Sequence, residues 1–523
     1  MAPKKEVPSL KELAMKGVSK YLECASVELM AIVCEISKRD QTLGYSFLKT
    51  SLTQIGNYVF DSVSCDVVDS VVQCILTLLP RLVSELRDTY MKCFCPETFM
   101  IRMRTVVLLT NILLHPRVQS IDISRLPRAM KHVLLSDLHK MSGLKTLDLG
   151  AGSCGWEISE TEKHILKGLH CMHQLAQIHL SIDCTDAIVK CVALNCQQLQ
   201  VLNIPNSRSV TERCVPYLVK MKQLRQVFIT HTSITEDGYT SILSNLPHLR
   251  NMGKCEYITG VIERVQDQGR VLNLTHLESG KISDQTLFSI VTLCPSLVNL
   301  TLHDGHELDI SCLSQLKHLK SLALINGNIE RIKLLPYLES YGKLECLHLK
   351  GVHTIDERTL MRISDACPYL TILTLDTCEC SARREVETVH NLKHRRYFTN
   401  LTTLSCYTTC PTEHLEILLR FSHKIKSIVM GNSTIPNDAF VLKILQFNPL
   451  TMLNDLKISH SHTLSIASVR ALIEHCPRLR VLVDLRTRYL ILFWMNFQTH
   501  FKLRSLKKNQ LRHFQSIFRY YSG

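Results

Sequence analysis

The stretch Cys294-Pro295-Ser296-Leu297-Val298-Asn299-Leu300-Thr301-Leu302 recurs with small changes along most of the chain. Its pattern, Cys-Pro-x-Leu-x-x-Leu-x-Leu, returns closely at Cys367–Leu375 and more weakly at Cys196–Ile204 and Cys476–Leu482. The last two leucines alternate along a short strand and therefore point to one side of it. A helix then returns the chain, and the unit buries its apolar face only by stacking on the next copy. The sequence thus predicts a solenoid.

The spacing of the units gives the class of solenoid. The first leucine-type residue of each unit recurs at intervals of 22 to 31 residues, which is typical of leucine-rich repeats. We count roughly fourteen units and regard those at Leu249 and Leu453 as irregular, because residues 251–254 and 454–455 disturb the pattern. The unit positions are Val118, Leu144, Leu175, Leu199, Leu224, Leu249, Leu272, Leu297, Leu319, Leu344, Leu370, Leu401, Ile425, Leu453 and Leu479.

Two further features recur with the units. One is the Cys that begins the pattern, and the other is a triplet of Ile, a polar residue and an acid, found at 234–236, 282–284 and 355–357. Together they resemble the cysteine-containing leucine-rich repeats of ubiquitin-ligase substrate receptors, over residues 118 to about 483. We expect Asp284 or Thr235 to accept a hydrogen bond from helix N-terminal amides. The fold predicted is α/β, a leucine-rich-repeat solenoid (horseshoe) at 115–483 after an all-α N-terminal flank at 1–114.

Residues 9–22 predict an amphipathic helix with Ser9 as its N-cap. The order Ser9-Leu10, Ala14 and Val18 resembles the elongin-binding box, the helix by which von Hippel-Lindau-type receptors dock on elongin C. The resemblance implies that these four residues contact the adaptor, although Ala14 stands where the family usually has Cys. The alternative is an ordinary cap helix that covers the first repeat, which a solenoid needs in any case.

The remainder of the flank, residues 23–114, is predicted to be helical until His115-Pro116. Residues 79–86, Leu-Pro-Arg-Leu-Val-Ser-Glu-Leu, resemble the cullin box that follows the elongin box in such receptors, but they lie farther downstream than in the family. No F-box signature is evident, which disfavours docking through Skp-type linkers.

The outward residues of the strands are predicted to line the concave face of the solenoid. They mix acids, bases, amides and aromatics, which is more typical of a surface for one specific protein partner than of a structural lattice. The alternative for each of them is a solvated strand position. These residues are Asp148, His179, Asn203, Phe228, Thr301, His303, Ala323, His348, Lys350, Thr374, Asp376, Ser405, Tyr407 and Lys457.

The 22 cysteines are interpreted as reduced core thiols, because many share one repeat position. The pairs at 93–95 and 378–380 have one-residue gaps and no second Cys or His pair at zinc-finger spacing, so structural thiols are favoured over a metal site. His303 and His306 flank Asp304, which is interpreted as a turn. No catalytic motif is evident, and we predict no enzyme activity, catalytic residue, cofactor or metal.

Charge is concentrated in two places. The insertion 378–400 is a basic loop, interpreted as solvated surface, with docking of an acidic partner as the alternative. After Asp484 the chain has eight Lys or Arg and no acid, so this tail supplies seven of the net +14 (eight less one). Without it the nucleic-acid signal is weak. We interpret 484–523 as a segment of doubtful authenticity, such as read-through past the last exon, with a basic amphipathic contact to anionic membrane as the alternative.

These observations favour an intracellular protein-binding protein, the substrate-recognition subunit of a cullin-RING ubiquitin ligase, with elongin C and a cullin as partners. The alternative is a leucine-rich-repeat scaffold or regulator with no ligase link, as in ribonuclease-inhibitor-like repeats. A third hypothesis, a nucleic-acid or membrane adaptor, rests on the tail alone. Because residues 1–6 lack an apolar stretch and no eighteen-residue apolar run occurs, we expect no membrane span and a location in the cytosol or nucleus.

Overall fold

The computed structural model describes residues 10–92, 96–151, 158–303, 308–380, 395–407, 410–431, 437–458, 464–479 and 481–484. They fall into an N-terminal unit, residues 2–303 with 315–318, and a C-terminal unit, residues 304–314 with 319–523. In each unit parallel strands pair in chain order, and most of the described connections between them contain a helix or a helical turn. The predicted fold class, an α/β leucine-rich-repeat solenoid with an all-α N-terminal flank, is confirmed.

The flank is built from four helices, α1 (Leu10–Ser37), α2 (Gln41–Ser62), α3 (Cys65–Lys92) and α4 (Pro96–Ile112). Helix α1 packs against the other three, and Asp40 caps α2 by accepting from the amides of Thr42 and Leu43 at 2.8 and 3.1 Å. The helix predicted over 9–22 therefore continues to Ser37. Its predicted N-cap, Ser9, lies outside the described residues.

The repeats of the N-terminal unit contribute eight strands and seven helices among the described residues. The strands are β1 (Ser120–Asp122), β2 (Thr146–Ala151), β3 (Gln177–Ser181), β4 (Val201–Asn203), β5 (Gln226–Phe228), β6 (Asn251–Cys255), β7 (His276–Ser279) and β8 (Asn299–His303). The helices are α5 (Arg128–Ser136), α6 (Ile158–Leu169), α7 (Asp186–Asn195), α8 (Val215–Leu218), α9 (Glu236–Asn245), α10 (Ile258–Asp267) and α11 (Asp284–Leu293).

The described residues of the C-terminal unit contain seven strands and five helices. The strands are β9 (Ser321–Asn328), β10 (Cys346–His353), β11 (Ile372–Asp376), β12 (Thr403–Cys406), β13 (Ser427–Met430), β14 (Asp455–Ile458) and β15 (Val481–Asp484). The helices are α12 (Leu334–Tyr341), α13 (Glu357–Ala366), α14 (Thr412–Leu419), α15 (Asp438–Phe447) and α16 (Ile466–His475).

The core of each unit is a ladder of aliphatic side chains on one side of the sheet. Leu147 pairs in register with Ile178, which pairs with Leu202, so that the same position of each coil packs on its neighbour. Leu300 and Leu302 are buried, whereas Thr301 between them is half-exposed. The predicted alternation of the strand at 299–303 is therefore confirmed.

Two details of the repeat pattern differ from the sequence-based expectation. In the other units the strand begins two residues after the first leucine-type residue. Strand β7 begins two residues after Leu274, so Leu274, and not the predicted Leu272, is the first leucine of that unit. Leu272 is nevertheless buried, because its amide donates to the carbonyl of Leu293 and draws it into the core. The stretches regarded as irregular, at Leu249 and Leu453, each contribute a strand, β6 and β14.

The cysteine that begins the repeated pattern ends the preceding helix. Cys196, Cys294 and Cys367 are each the residue after a helix, and their amides donate to the carbonyl four residues earlier. Burial raises the pKa of each of these thiols to about 12, so they remain protonated and unreactive at neutral pH. This arrangement agrees with their interpretation as reduced core thiols.

The recurrent triplets both cap helices and connect neighbouring coils. Ser283, rather than Asp284, caps α11 by accepting from the Thr286 amide at 3.2 Å. Thr235 precedes α9 but makes no side-chain cap bond, since its hydroxyl donates to Glu212 of the preceding coil at 2.7 Å. The predicted cap bond of Thr235 is therefore wrong, and at α11 the N-cap is Ser283, one position before Asp284.

The connection between Thr235 and Glu212 belongs to a recurring arrangement. Asp186 of one coil accepts from the amide and hydroxyl of Thr211 in the next, both at 2.7 Å. Asp438 accepts from the Ser465 amide at 2.8 Å in the same way. An acid in the first turn of one coil thus satisfies a polar group at the corresponding turn of its neighbour.

The exposed edge of the first strand is covered by α3. The Asp69 carboxylate accepts from the amides of Gln119 and Ser120, both at 3.1 Å. Arg117 donates to the carbonyl of Val63 at 2.7 Å and also to that of Phe60. Helix α3 also packs on β1 and α4 packs on α5, so these two helices contact the first repeat.

Residues 67–85 of α3 form one stretch that is long and apolar enough to cross a membrane, judged by length and composition. A helix that packs in a protein core meets the same criteria, and Val68, Val71, Ile75 and Leu79 in this stretch are buried. We therefore treat α3 as a core helix, and the absence of a membrane span stays a prediction.

Replacing Leu302 by Ala should lower the free energy of unfolding by about 2 to 5 kcal/mol, because the lost side chain leaves a cavity in the ladder. Replacing its neighbour Thr301 by Ala should change stability by less than about 0.5 kcal/mol, since Thr301 is half-exposed. Thermal and urea denaturation of the purified chain measure both effects. Equal losses in the two variants would contradict the described alternation.

Candidate functional site

Helix α1 carries an apolar surface on the side that faces away from the rest of the flank. Leu22, Ser26 and Val33 are buried, whereas the exposed positions recur at intervals of three or four residues and so share the opposite side. We call this exposed set the outer stripe. It consists of Leu13, Ala14, Gly17, Lys20, Tyr21, Cys24, Val27, Glu28, Ala31, Ile32 and Glu35.

Large apolar side chains of the outer stripe are unusually open to solvent. Leu13 and Ile32 are each 48% exposed, Val27 is 53% exposed and Tyr21 is 55% exposed. No packing against the outer stripe is found within the described part of the chain, because α2, α3 and α4 lie on the buried side of α1. Contiguous apolar surface of this kind commonly marks a site of protein interaction.

The predicted adaptor residues fall partly on this stripe. Ala14 belongs to the outer stripe, and Val18 at its border is half-buried. Leu10 begins α1, but its side chain and the whole of Ser9 lie outside the described residues. The role of these four residues stays a prediction, while the alternative of a cap helix is weakened because α3 and α4 make the contacts with the first repeat.

The segment that resembles a cullin box lies inside α3. Pro80 is within the helix, and both Leu79 and Leu82 are buried in the flank. Neither leucine is available to another protein in this structure, because its contacts are with the core. The segment therefore adds nothing to a docking surface.

The outward strand residues of the N-terminal unit form a row of polar groups with one aromatic side chain. Asp148, His179, Asn203 and Phe228 are paired in register across β2 to β5. The Nδ1 atom of His179 lies 3.5 Å from both the Asp148 carboxylate and the Asn203 amide nitrogen. These contacts orient the polar side chains without burying them, so the row remains open to a partner.

Thr301 and His303 lie farther along the same unit on β8. Thr301 is in register with Glu278 of β7, whose carboxylate lies 3.0 Å from Nε2 of His303. The predicted residues of this unit are therefore half-exposed side chains on the side of the sheet opposite the aliphatic ladder. His306, which was considered beside His303, lies outside the described residues.

The C-terminal unit has its own row of outward residues. His348, Thr374 and Ser405 are in register across β10 to β12, and Nδ1 of His348 lies 2.9 Å from the Thr374 hydroxyl. Burial lowers the pKa of His348, so the imidazole is neutral at pH 7. Lys350 and Asp376 form an ion pair at 3.3 Å in the adjacent register position.

The remaining predicted residues of this unit differ in exposure. Ala323 is half-exposed and in register with His348, whereas Lys457 on β14 is exposed. Tyr407 follows β12 and is 44% exposed, the largest outward side chain predicted in this unit. A large, partly exposed aromatic residue is the kind of side chain that anchors protein interfaces.

Both outward aromatic residues lie against a glycine of the next coil. A Cβ atom at Gly253 would stand 2.7 Å from the Phe228 ring, and Gly253 also has a φ of +63°. A Cβ atom at Gly431 would stand 2.9 Å from Cα of Tyr407 and 3.1 Å from its ring. The glycines thus leave room for the rings, and Gly253 accounts for the stretch Asn251–Lys254 that disturbs the repeat pattern.

Several outward residues were not predicted. Asp122 precedes Asp148 in the same register row, Glu278 pairs with Thr301, and Val429 pairs with Ser405. Strict alternation within each strand was sufficient to find them. A cluster of Cys380, Cys410 and His414 was also missed, since two of its members are far from Cys380 in sequence.

Part of the predicted organisation lies outside the described residues. This applies to residues 381–394 of the basic insertion, to the Cys93–Cys95 pair and to the tail after Asp484. Arg395, which follows the insertion, forms an ion pair with Asp365 at 2.8 Å.

Similarity to known proteins is found by structure and not by sequence. No protein-family model matches the chain, and no curated protein sequence matches it. Among solved structures, the chain is similar to one in the crystal structure of a Rad7 and Elc1 complex in yeast. That match has 12% sequence identity and a TM-score of 0.46, and it covers 88% of this chain and 96% of the matched chain.

Proposed function

We propose that this chain is an intracellular protein-binding protein, the substrate-recognition subunit of a cullin-RING ubiquitin ligase. The observation that carries the proposal is the outer stripe of α1, an exposed apolar surface that includes Ala14 of the elongin-box-like sequence. Under the proposal the N-terminal part of this stripe, from Leu13 to Cys24, docks on elongin C, which connects the chain to a cullin. The ubiquitin-transfer chemistry then takes place on other subunits.

The form of the outer stripe supports helix-mediated docking. An amphipathic helix binds in a groove through apolar residues spaced by three or four positions, as Leu13, Gly17, Tyr21 and Cys24 are. The opposite side of α1 is already fixed by Leu22 and Val33, so the helix is folded before any partner arrives. A preformed helix loses little conformational entropy on binding.

The outward strand residues supply the second surface that a receptor needs. We propose that they hold the substrate protein, with Phe228 and Tyr407 as aromatic anchors and ion pairs such as Lys350–Asp376 around them. Mixed polar and aromatic side chains favour selection of one partner over a general adhesive role.

The chain is proposed to have no enzymatic activity of its own. We also place it in the cytosol or nucleus, because buried protonated thiols such as Cys196, Cys294 and Cys367 are suited to a reducing compartment. Both statements follow from the proposed role and from the same residues that support it.

A second candidate function is a leucine-rich-repeat scaffold or regulator with no ligase link. Two observations favour it: Ala14 replaces the Cys that is usual in elongin boxes, and Leu79 and Leu82 of the cullin-box-like segment are buried. In this case the outer stripe serves another partner, while the strand residues keep their binding role.

Replacing Ala14 by Asp should weaken capture of purified elongin C by about 30-fold or more, because a carboxylate would be buried in an apolar interface. Ala31→Asp is the matched control, since Ala31 is exposed on the same helix far from the elongin-box-like sequence. Ala14→Cys should strengthen capture. Surface plasmon resonance on the purified full-length chain measures the affinities, and thermal melting checks the fold.

Three outcomes of this experiment are informative. Unchanged melting with selective loss for Ala14→Asp supports docking through α1. Failure of the wild-type chain to bind elongin C would contradict the ligase proposal and favour a role as a scaffold or regulator. Equal losses for Ala14→Asp and Ala31→Asp would show that negative charge on α1, and not the elongin-box-like sequence, is responsible.

Replacing Tyr407 by Ala should remove bound substrate proteins from the chain in cells while elongin C stays associated. The Tyr407 side chain is only partly buried and lies outside the aliphatic ladder, so the change should lower the melting temperature only slightly. Lys457→Ala is the control on an exposed outward residue without an aromatic ring. Quantitative mass spectrometry of material cross-linked in cells measures the change, and an identical partner set for all three chains would contradict a binding role of Tyr407.

A further inference from the structure

Three side chains with metal-ligating atoms meet in the interior of the C-terminal unit. The Sγ atoms of Cys380 and Cys410 and a ring nitrogen of His414 all lie within 4.8 Å of one another. Cys380 follows β11, Cys410 directly precedes Pro411 before α14, and His414 is in the first turn of α14. The repeat architecture therefore brings Cys380 together with two residues that are 30 or more positions away in sequence.

The histidine of this cluster is in an unusual position. His414 is 0% exposed, and neither of its ring nitrogens has a hydrogen-bond partner in the described structure. A buried imidazole without partners is unfavourable, because its two ring nitrogens have lost their hydrogen bonds to water and make none within the protein. A buried polar group of this kind requires an explanation, and coordination of a metal ion would supply one.

A third thiol adjoins the cluster. The side chains of Cys380 and Cys406 both adjoin the Cys410 thiol, and Cys406 is the buried last residue of β12. The Sγ atom of Cys406 lies outside the set of three ligand atoms that are within 4.8 Å of one another. The sequence Cys406-x3-Cys410-x3-His414 thus supplies three candidate ligands within nine residues, and Cys380 supplies the fourth. Cys378 is close by but donates to the carbonyls of Leu349 and Asp376 at 3.2 and 3.5 Å, so it is already satisfied.

We propose that Cys380, Cys406, Cys410 and His414 bind one Zn²⁺ ion. Three thiolates and one imidazole are a common donor set for structural zinc, and a tetrahedral site with Zn–S bonds of about 2.3 Å places its ligand atoms about 3.8 Å apart. The observed limit of 4.8 Å for three of the atoms is within reach of that geometry by side-chain adjustment. All four positions are filled by protein, so the ion has a structural role and no open position for catalysis.

The location of the site explains what the ion stabilises. Leu370 and Leu401 are separated by 31 residues, an interval matched only by the one from Leu144 to Leu175 among the repeats. Cys380 stands at the beginning of this longer connection, and Cys406 and Cys410 stand after it. A shared ion would close the connection into a loop and fix β12 and α14 on the preceding coil, in the manner of a covalent cross-link.

The competing interpretation is a pair of cysteines poised to form a disulfide. A disulfide between Cys410 and either neighbouring thiol would use two of the four groups and leave His414 buried without a partner. Zinc satisfies all four groups together. The two interpretations predict opposite consequences for an apolar substitution at His414.

The test is zinc analysis of the full-length chain purified under reducing conditions. Inductively coupled plasma mass spectrometry should find about one zinc ion per chain. Cys410→Ser and His414→Leu should each reduce the zinc content at least about fivefold, whereas His414→Cys, which keeps a ligand, should retain it. Cys367→Ser is the matched control, because Cys367 is a buried thiol of the same unit outside the cluster.

Thermal melting separates the two interpretations. If zinc is bound, His414→Leu and a zinc chelator should each lower the melting temperature, and the chelator should have no further effect on the variant. If no ion is bound, His414→Leu should raise the melting temperature, since it replaces an unsatisfied imidazole by an apolar side chain. A raised melting temperature would overturn the proposal.

Cobalt substitution gives a readout that does not depend on how well the variants fold. The wild-type chain loaded with Co²⁺ should show sulfur-to-metal charge-transfer bands and the visible bands of tetrahedral coordination. A zinc-free wild-type chain that takes up neither Zn²⁺ nor Co²⁺ under reducing conditions would contradict the site, and so would zinc content that is equal in all variants.

Discussion

The structure depends on burial of one apolar face per coil against the next coil. A single coil cannot exclude water from residues such as Leu302, so the coils are stable only when stacked. Stacking also aligns polar groups, and acids such as Asp186 and Asp438 bond to the following coil. The same constraint makes the end of the stack vulnerable, because the first strand would expose its amides. Asp69 of α3 accepts from two of these amides and so ends the sheet.

Because α3 and α4 cover the first repeat, α1 is left with a different role. Its buried side, with Leu22 and Val33, secures it to the flank, and its outer stripe has no structural use within the described residues. Exposed side chains such as Tyr21 and Val27 are unfavourable in water unless a partner covers them. We therefore propose three separate roles. Helices α3 and α4 close the solenoid, the outer stripe of α1 binds an adaptor, and the outward strand residues bind a substrate.

Much of the fold was predictable from the sequence, because repeated leucines at strand spacing allow few other structures. The alternation around Thr301 was predicted correctly, whereas the first leucine of one unit was misplaced by two residues, since Leu272 and Leu274 are both buried. The cap of α11 was misplaced by one residue because Ser283 and Asp284 are equally suited by type. The cluster at His414 could not be found by motif, since its residues come from different coils and have none of the usual zinc-finger spacings. Gly253 was interpreted as a fault in the pattern, and its role became evident only from the position of the Phe228 ring.

Binding of elongin C to the outer stripe of α1 is proposed, and it can be tested directly. Hydrogen–deuterium exchange of the full-length chain, followed by mass spectrometry with and without purified elongin C, locates the contact without any mutation. Exchange should become slower in the N-terminal half of α1, residues 10–24, because binding stabilises that helix against local opening. Exchange in α3, α4 and the strands should be unchanged. Protection confined to the strands, or no protection anywhere at saturating elongin C, would contradict the claim.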